Sequence, residues 1–351
     1  MTPLSLIYQL AKDQGFQLVK VATAQKLAAE KIAYLQWLEK NHHGEMHYLS
    51  RDPAKRTDPD KILPGAKSII LVALNYYQDS PDMIKVARYA KAKPDYHTVF
   101  EKKLQELQKK LTEHFSSIEA KFYVDYGPLM ERPYAAQASM GFIGKNTLLI
   151  TKEFGSWVVL GEIITTLDLV PEPAEKHGSC GSCRRCLDIC PTGALKDNYD
   201  LDSNLCISYL TIEYKGSIPV NLRKKIGTWL FGCDLCQEVC PHNSRAKAYS
   251  PAQWQDISIQ PDLTNTAYLG SLDFLKRILS IATDEEFKSF FANTPFLRAK
   301  RTGLIRNACI VAGNLKDASL LPYLKALIND SSLLIKEHAQ WAVEELVSVE
   351  N

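Results

Sequence analysis

Eight of the nine cysteines of this 351-residue chain fall between positions 180 and 240. Thiols packed this densely either pair with one another or bind metal, and either outcome dictates the local fold. The rest of the sequence chooses between them. No run reaches the ~18 uncharged apolar residues that cross a bilayer; the longest apolar stretch, around Trp157–Leu160, lies between Glu153 and Glu162. The opening residues, MTPLSLIYQLAKDQGF, lack a basic n-region and twin arginines, and Lys12 and Asp13 interrupt their apolar run. They do not read as an export signal. A cytoplasmic location is therefore expected, where thiols stay reduced and clustered cysteines bind metal. With 46% hydrophobic and 23% charged residues, the chain is an ordinary globular sequence, long enough to bury cores without disulfides. A net charge of +2 is too small to argue for nucleic acid by itself.

The cysteine spacing is specific. The first set reads Cys180-x2-Cys183-x2-Cys186-x3-Cys190-Pro191, the run that holds two [4Fe–4S] clusters in bacterial ferredoxins. Three close thiolates serve one cubane, and the fourth, before proline, crosses to the other. The second set is Cys233-x2-Cys236-x3-Cys240-Pro241; a full copy needs a cysteine at 230, where Leu230 stands, and Cys206 is the remaining candidate nearby. One cluster then takes Cys180, Cys183, Cys186 and the crossing Cys240. The other takes Cys233, Cys236, the crossing Cys190, and Cys206. Zinc, the alternative, is usually marked by isolated CxxC pairs. Cys309 lies on the apolar face of a helical pattern and reads as a small core residue. Paired clusters relay electrons, and a chain this much longer than its cysteine segment reads as a redox enzyme rather than a carrier.

Residues 1–170 contain no cysteine and mix helix and strand patterns, so the fold class is α+β. Leu4–Gln14 and Phe100–Phe115 repeat apolar residues at helical spacing, at Leu4, Ile7, Leu10 and Ala11 and at Leu104, Leu107 and Leu111. Ala66–Leu74 is a short run of the kind that forms a buried strand. Lys121–Val124 is a strand entering the turn Asp125-Tyr126-Gly127-Pro128. Thr147–Thr151 and Trp157–Thr165 are expected to pair through Glu153-Phe154-Gly155. The linker Val170-Pro171-Glu172-Pro173 opens a ferredoxin-like domain over 171–250, closed by the polar Ser244–Ser250. Residues 251–351 read as helical. Leu304–Leu315 and Leu334–Leu346 match at an offset of 30 residues, and the helix between them carries Pro322 in its first turn. Such helix pairs suggest HEAT-like repeats, against an ordinary helical subdomain.

Several motifs in the first domain fail. Gly141-Phe-Ile-Gly144-Lys145-Asn146 lacks the earlier glycine and the Ser/Thr of a phosphate loop, and no Gly-x-Gly-x-x-Gly follows a strand. His43-x3-His47 has no third ligand. Asp95-x-His97 begins the Asp-x-His-x-x-Gly signature of cobalt-ligating histidines, but Phe100 occupies the glycine position. What remains is Asp125, an acid at a strand end before a turn and a helix. Such loops carry catalytic groups, and an aspartate there equally caps the helix; the residues leave both readings open.

The combination of motifs resembles the epoxyqueuosine reductases. It comprises Gly-Glu-Met46, Ala87-Arg88-Tyr89 with Asp95-Tyr-His97, Val-Asp125-x-Gly-Pro and Gly-x-x-Gly144-Lys-Asn146. Cys-Gly-Ser-Cys183-x-x-Cys-Leu-Asp-x-Cys-Pro-Thr-Gly-Ala194, Cys206-Ile-Ser208-Tyr-Leu-Thr211 and Phe-Gly-Cys233-Asp-x-Cys-Gln-x-Val-Cys-Pro complete it. The match runs in order along almost the whole chain. The resemblance implies reduction of epoxyqueuosine to queuosine at the wobble position of tRNA, the last step in making that base. It implies a base-off cobalamin, held between residues 1–170 and the nearer cluster and reduced through the clusters. It makes Asp125 the proton donor, although Tyr126 replaces the usual threonine after the acid. The cobalamin contacts it implies are Arg56, Ala87, Arg88, Tyr89, Asp125, Lys145, Asn146, Leu149, Leu160 and Ser208. To hold a proton near neutral pH, Asp125 is expected to have its pKa raised by burial. An external low-potential electron donor and a monomeric chain are also expected.

A tRNA substrate requires basic surface. Arg223, Lys224 and Lys225 form one candidate set; Arg298, Lys300, Arg301 and Arg306 form another. Either set contacts phosphates or is ordinary solvated charge. Two other functions compete: a corrinoid reductive dehalogenase, which usually carries an export signal, and a two-cluster electron-transfer protein with no bound corrin and no turnover.

Overall fold

The structure is a computed structural model that describes residues 2–79, 82–91, 95–175, 178–248 and 266–348. The expected boundary at 250/251 lies outside these residues.

The chain opens with α1 (Pro3–Asp13), whose first turn is fixed by Thr2 accepting from the Ser5 amide and by Pro3 at the first helical position. β1 (Leu18–Thr23), α2 (Ala28–Glu39) and β2 (Ser68–Asn75) follow, then the short β3 (Lys85–Val86) and α3 (Tyr96–His114). Asp95 caps α3 by accepting from the His97 amide. β4 (Ala120–Tyr123), α4 (Glu131–Gln137), β5 (Phe142–Ile143), β6 (Leu149–Ile150) and β7 (Val158–Thr165) complete the first part. Four strands form one antiparallel sheet in the order β1-β2-β7-β4.

β2 is buried along its whole length, because the sheet is covered on both faces. Ile70, Val72 and Leu74 pack against α1 and α3, with Ile7, Leu10, Phe100, Leu104, Leu107 and Leu111. Ile69, Leu71 and Ala73 face the other way, toward Tyr134 and Ala135 of α4 and toward Leu63, Leu149 and Leu160. The period of two in the strand thus serves two separate cores. The expected hairpin between 147–151 and 157–165 does not form. β6 pairs with β5, and β7 lies between β2 and β4. Thr151 ends the short ladder: its hydroxyl donates to the Gly155 carbonyl and accepts from the Phe154 amide. β7 then enters the large sheet, where both faces of its apolar run are covered.

The glycines of the 141–146 segment belong to the β5–β6 hairpin. A Cβ on Gly141 would lie 2.3 Å from the Ile150 carbonyl oxygen, and one on Gly144 would lie 2.5 Å from the Ile150 side chain. Close backbone approach, not phosphate binding, requires them.

Beyond the linker come α5 (Arg185–Ile189), α6 (Ile207–Ile212), α7 (Val220–Ile226), β8 (Trp229–Phe231) and α8 (Leu235–Glu238). The tail contains α9 (Leu272–Leu279), α10 (Lys300–Leu315), α11 (Leu321–Leu327) and α12 (Leu333–Val347). One core joins these parts: Ile84 and Val86, Ile207 to Phe231, and the tail share a single apolar cluster. β8 pairs in parallel with β3, and α10 is buried on nearly every side. Gly313 lets α10 approach the Trp341 ring of α12 closely.

Candidate active site

A cavity of about 2120 Å³ opens between the first sheet and the cysteine-bearing loops. That is larger than the ~300–1,000 Å³ typical of small-ligand pockets. Asp95, Tyr96, His97, Asp125 and Glu131 form one part of its wall, and Cys190, Cys206, Cys233 and Cys236 form another.

The cysteines fall into two groups. Cys186 lies within electrostatic reach of Cys180 and Cys240, and Cys240 within reach of Cys180 and Cys183. Cys206 neighbours Cys190, Cys233 neighbours both, and Cys236 neighbours Cys233 and Cys206 first, with Cys186 of the other group also within its reach. Among the described residues, no three His, Cys, Asp or Glu side chains close around a point as for a single ion; the thiols form two wider groups instead. The grouping fits two four-iron centres. The Lys145 amide donates to Cys180 Sγ at 3.3 Å, and the Thr192 hydroxyl lies 3.5 Å from Cys190 Sγ.

Asp125 sits in the left-handed region, at φ 55°, where asparagine and aspartate are tolerated better than most residues. Tyr96 Oη donates to Asp125 Oδ2 at 2.7 Å. His97 Nε2 lies 3.8 Å from the same oxygen, and His97 Nδ1 lies 2.8 Å from Asp95 Oδ1. Two carboxylates hold the imidazole between them. Partial burial disfavours its cation, but hydrogen bonds to Asp125 and Asp95 outweigh that and push its pKa up to about 9. The expected raised pKa of Asp125 is not found. Surrounding protein pushes it up, yet the hydrogen bonds from His97 and Tyr96 prevail and hold the carboxyl below its ordinary value. The side chain is 63% accessible within the cavity, so water there also solvates the anion.

Of the corrin contacts implied by the resemblance, Arg56, Ala87, Tyr89, Asp125, Asn146, Leu149, Leu160 and Ser208 all line the cavity. Arg56 also donates to the Gly127 carbonyl at 3.2 Å, bracing the Asp125 loop. Asn146 is buried, and its Nδ2 has no hydrogen-bond partner. An orphaned amide on a largely apolar wall fits a large ligand that carries amide acceptors. Arg88 and Lys145 do not line the cavity. Arg88 takes Asp234 through its amide, Glu238 through Nη1 at 2.6 Å and the Gln78 carbonyl through Nε. It ties the segment after β3 to the second cysteine set. The Lys145 ammonium pairs with Asp197 at 3.3 Å.

Three of the expected phosphate contacts are corrected. Arg223 is buried, donating to the Ile218 carbonyl and pairing with Glu337. Arg301 is buried against Asp330 at 2.5 Å and the Ile281 carbonyl. Arg306 is fully buried and donates to the carbonyls of Leu210, Tyr214 and Gly216 and to Asn307 Oδ1. Arg223 and Arg306 fasten the tail to the segments around α6 and α7, and Arg301 ties the tail to itself, so no phosphate reaches them. Arg306→Met leaves three buried carbonyls unpaired and is expected to destabilise the protein by roughly 3 kcal/mol, read as a lower denaturant midpoint in the iron-loaded protein. An unchanged midpoint would contradict this. Arg298, Lys300, Lys224 and Lys225 are exposed. Lys224 pairs with Glu345, and Arg298 lines the cavity, its guanidinium over the Tyr48 ring at 5.8 Å.

Sequence reasoning missed two acids. Glu131 lines the cavity at the start of α4, and Glu162 is fully buried in β7. A lone acid inside an apolar strand run was the available signal for Glu162.

Comparisons with known proteins agree with this geometry. Residues 179–243 match the model of a 4Fe-4S double cluster binding domain, and residues 56–126 match that of epoxyqueuosine reductase QueG. The chain is 37% identical to the epoxyqueuosine reductase of Pseudomonas aeruginosa, over 95% of this chain and 91% of that protein. The epoxyqueuosine reductase structure from Streptococcus thermophilus superposes with a TM-score of 0.86 at 31% identity, covering 99% of this chain and 91% of that one. An epoxyqueuosine reductase solved with a tRNA-Tyr epoxyqueuosine-modified stem loop gives 0.85 at 33% identity, covering 98% and 90%.

Proposed function

Since the chain belongs to the epoxyqueuosine reductase family, we infer that its large cavity is where epoxyqueuosine in tRNA is reduced to queuosine. The protein is an oxidoreductase with a 4Fe-4S double-cluster domain. One observation carries the reading: a single cavity is walled on one part by Asp125, Tyr96 and His97 and on another by four cysteines of one group. Electrons and protons can therefore meet in one place. We assign Cys190, Cys206, Cys233 and Cys236 to the cluster nearer the cavity, and Cys180, Cys183, Cys186 and Cys240 to the outer one, which takes electrons from an external low-potential donor.

The cavity suits a base-off cobalamin. Asn146 offers its free amide, and Ala87, Leu149 and Leu160 supply apolar wall. When bound, cobalamin supplies a strongly reducing, nucleophilic metal centre. The chain's own residues do the rest. Arg56 and the β4 strand fix the Asp125 loop, and Tyr96 and His97 orient the Asp125 carboxyl. Filling the cavity strips water from that carboxylate, which raises its pKa and lets it take a proton from the neighbouring imidazolium. Asp125 then protonates the oxygen as a C–O bond breaks, which is general-acid catalysis of a poor leaving group. Anaerobic protein should contain about eight irons, four to each cluster, and about one cobalt, and should convert an epoxyqueuosine stem loop when reduced. Iron without cobalt or turnover would leave an electron-transfer protein.

The tRNA approaches past Arg298 and Lys300, beside the cavity. Reversing both charges should weaken stem-loop affinity and flatten its salt dependence, each lost phosphate contact changing the log–log slope by roughly 0.7–0.9. An unchanged slope would remove this patch from the interface. We read residues 1–170, 171–250 and 251–351 as corrin-binding, cluster and HEAT-like domains of a monomer. A tRNA substrate and reduced thiols suit the cytoplasm, and among the described residues no helix is long and apolar enough to cross a membrane.

A further inference from the structure

Reducing an epoxide to an alkene and water breaks two C–O bonds and forms two O–H bonds. The reaction takes two electrons through the clusters and two protons from the site. Asp125 can hand over one proton at a time, and in the open cavity it is ionised. A second proton-holding group close behind it is needed once corrin and tRNA have displaced the water.

The structure contains such a group. Glu162 is 0% exposed, and neither carboxyl oxygen has a hydrogen-bond partner. It stands in β7 opposite Tyr123 of β4, the residue two before Asp125. Its Oε1 lies against the loop backbone, 3.0 Å from where a Gly127 Cβ would be. Leu160 and Ile164, on the same face of β7, pack toward α4, and Glu131 begins α4 at the cavity wall. Carboxyls from β7, from the Asp125 loop and from the start of α4 thus come within reach of one another. Burying an unpaired carboxylate is far costlier than burying a neutral acid.

We propose that Glu131 and Glu162 form a two-carboxyl proton store behind Asp125, Glu131 passing to Asp125 the second proton of the reduction and Glu162 holding one beneath it. The proposal rests on the reaction assigned above. The charged surroundings agree with it. Burial and then the Asp125 charge push Glu131 up to about 8, against Arg132, His97 and the Asp125 amide, which lower it. Burial, Glu131 and Asp125 all raise Glu162. β2 brings no charged residue to this face. β4 brings Tyr123 and Lys121, whose ammonium is taken by the Ile62 carbonyl, and the loop brings Asp125 and Tyr126, with Arg56 donating to the Gly127 carbonyl. Both stores therefore carry protons at neutral pH, and both refill from water when product leaves.

The holoenzyme tests this with Glu162→Gln and Glu131→Gln. Infrared spectra near neutral pH should show a protonated-carboxyl band that shifts in D2O and diminishes in Glu162→Gln. Single turnover in Glu131→Gln should slow by roughly 10²-fold, the low end for a positioned acid. Glutamine matches a neutral glutamic acid in shape, so a merely structural Glu162 predicts a wild-type rate. A proton store predicts slower turnover with a larger solvent deuterium effect in Glu162→Gln, with iron, cobalt and tRNA affinity intact. The proposal is overturned by absence of the band, by unchanged rates and isotope effects in both variants, or by slowing only in His97→Gln. If wild-type holoenzyme does not convert epoxyqueuosine, the assigned reaction fails instead, and the infrared band still reports on the carboxyls.

Discussion

Asp125→Asn is expected to lower single-turnover reduction of epoxyqueuosine by roughly 10²–10⁴-fold, the usual contribution of a positioned acid. The fold should survive, because asparagine is among the few residues at ease at φ 55°. Its carbonyl can still accept from Tyr96 Oη, which now lies 2.7 Å from the carboxylate. What disappears is the proton-carrying carboxyl and the negative charge beside His97. That charge helps push the imidazole to about 9, so its pKa should fall in the variant, and an NMR titration reads this separately from turnover. Saturating reductant keeps electron supply from limiting the rate. Near wild-type turnover, with clusters, cobalamin and tRNA affinity intact, would remove Asp125 from the proton path.

Cys206→Ala should abolish turnover and halve the iron, from about eight to about four atoms per chain, leaving one cluster. The cluster facing the cavity is the one at risk, since Cys206 lies beside Cys190 and Cys233. Position 230, where a repeated motif would place the ligand, is Leu230, fully buried in β8 beside the tail core. Electron paramagnetic resonance of the reduced variant should show the outer cluster alone. Full iron with both signals would overturn the ligand assignment.

The close cysteine runs were legible before any coordinates, because thiols three residues apart on one short loop are brought together by the local backbone alone, whereas Cys190, Cys206 and Cys240 reach their neighbours only across the fold. β2 was legible for a related reason: an uninterrupted Ile/Leu/Val run has to be covered on both faces. The helices α1 and α3 followed from apolar residues at helical spacing and α12 from its 30-residue match with α10, and their ends moved by only a few residues. The pairing of β7 was not legible. A strand's partners are chosen by what covers its faces, and α3, β2 and β4 are far from it along the chain.

Charge was the least legible property. Arg223, Arg301 and Arg306 look like Lys224 and Lys300 on paper, yet the tail folds over the three arginines and presents them with Glu337, Asp330 and backbone carbonyls. Asp125 was expected to be a protonated acid by virtue of burial. Tyr96 and His97, brought to it by the start of α3, make it an anion. Glu162 served in the sequence only as a charge that broke an apolar run, and in the fold it is the buried neighbour of the Asp125 loop. Spacing along the chain therefore carried the iron–sulfur segment, the main strands and helices and the family. Protonation states, strand partners and the choice between buried and exposed cations came from the assembled molecule, since burial and electrostatic potential are sums over groups that only folding brings together.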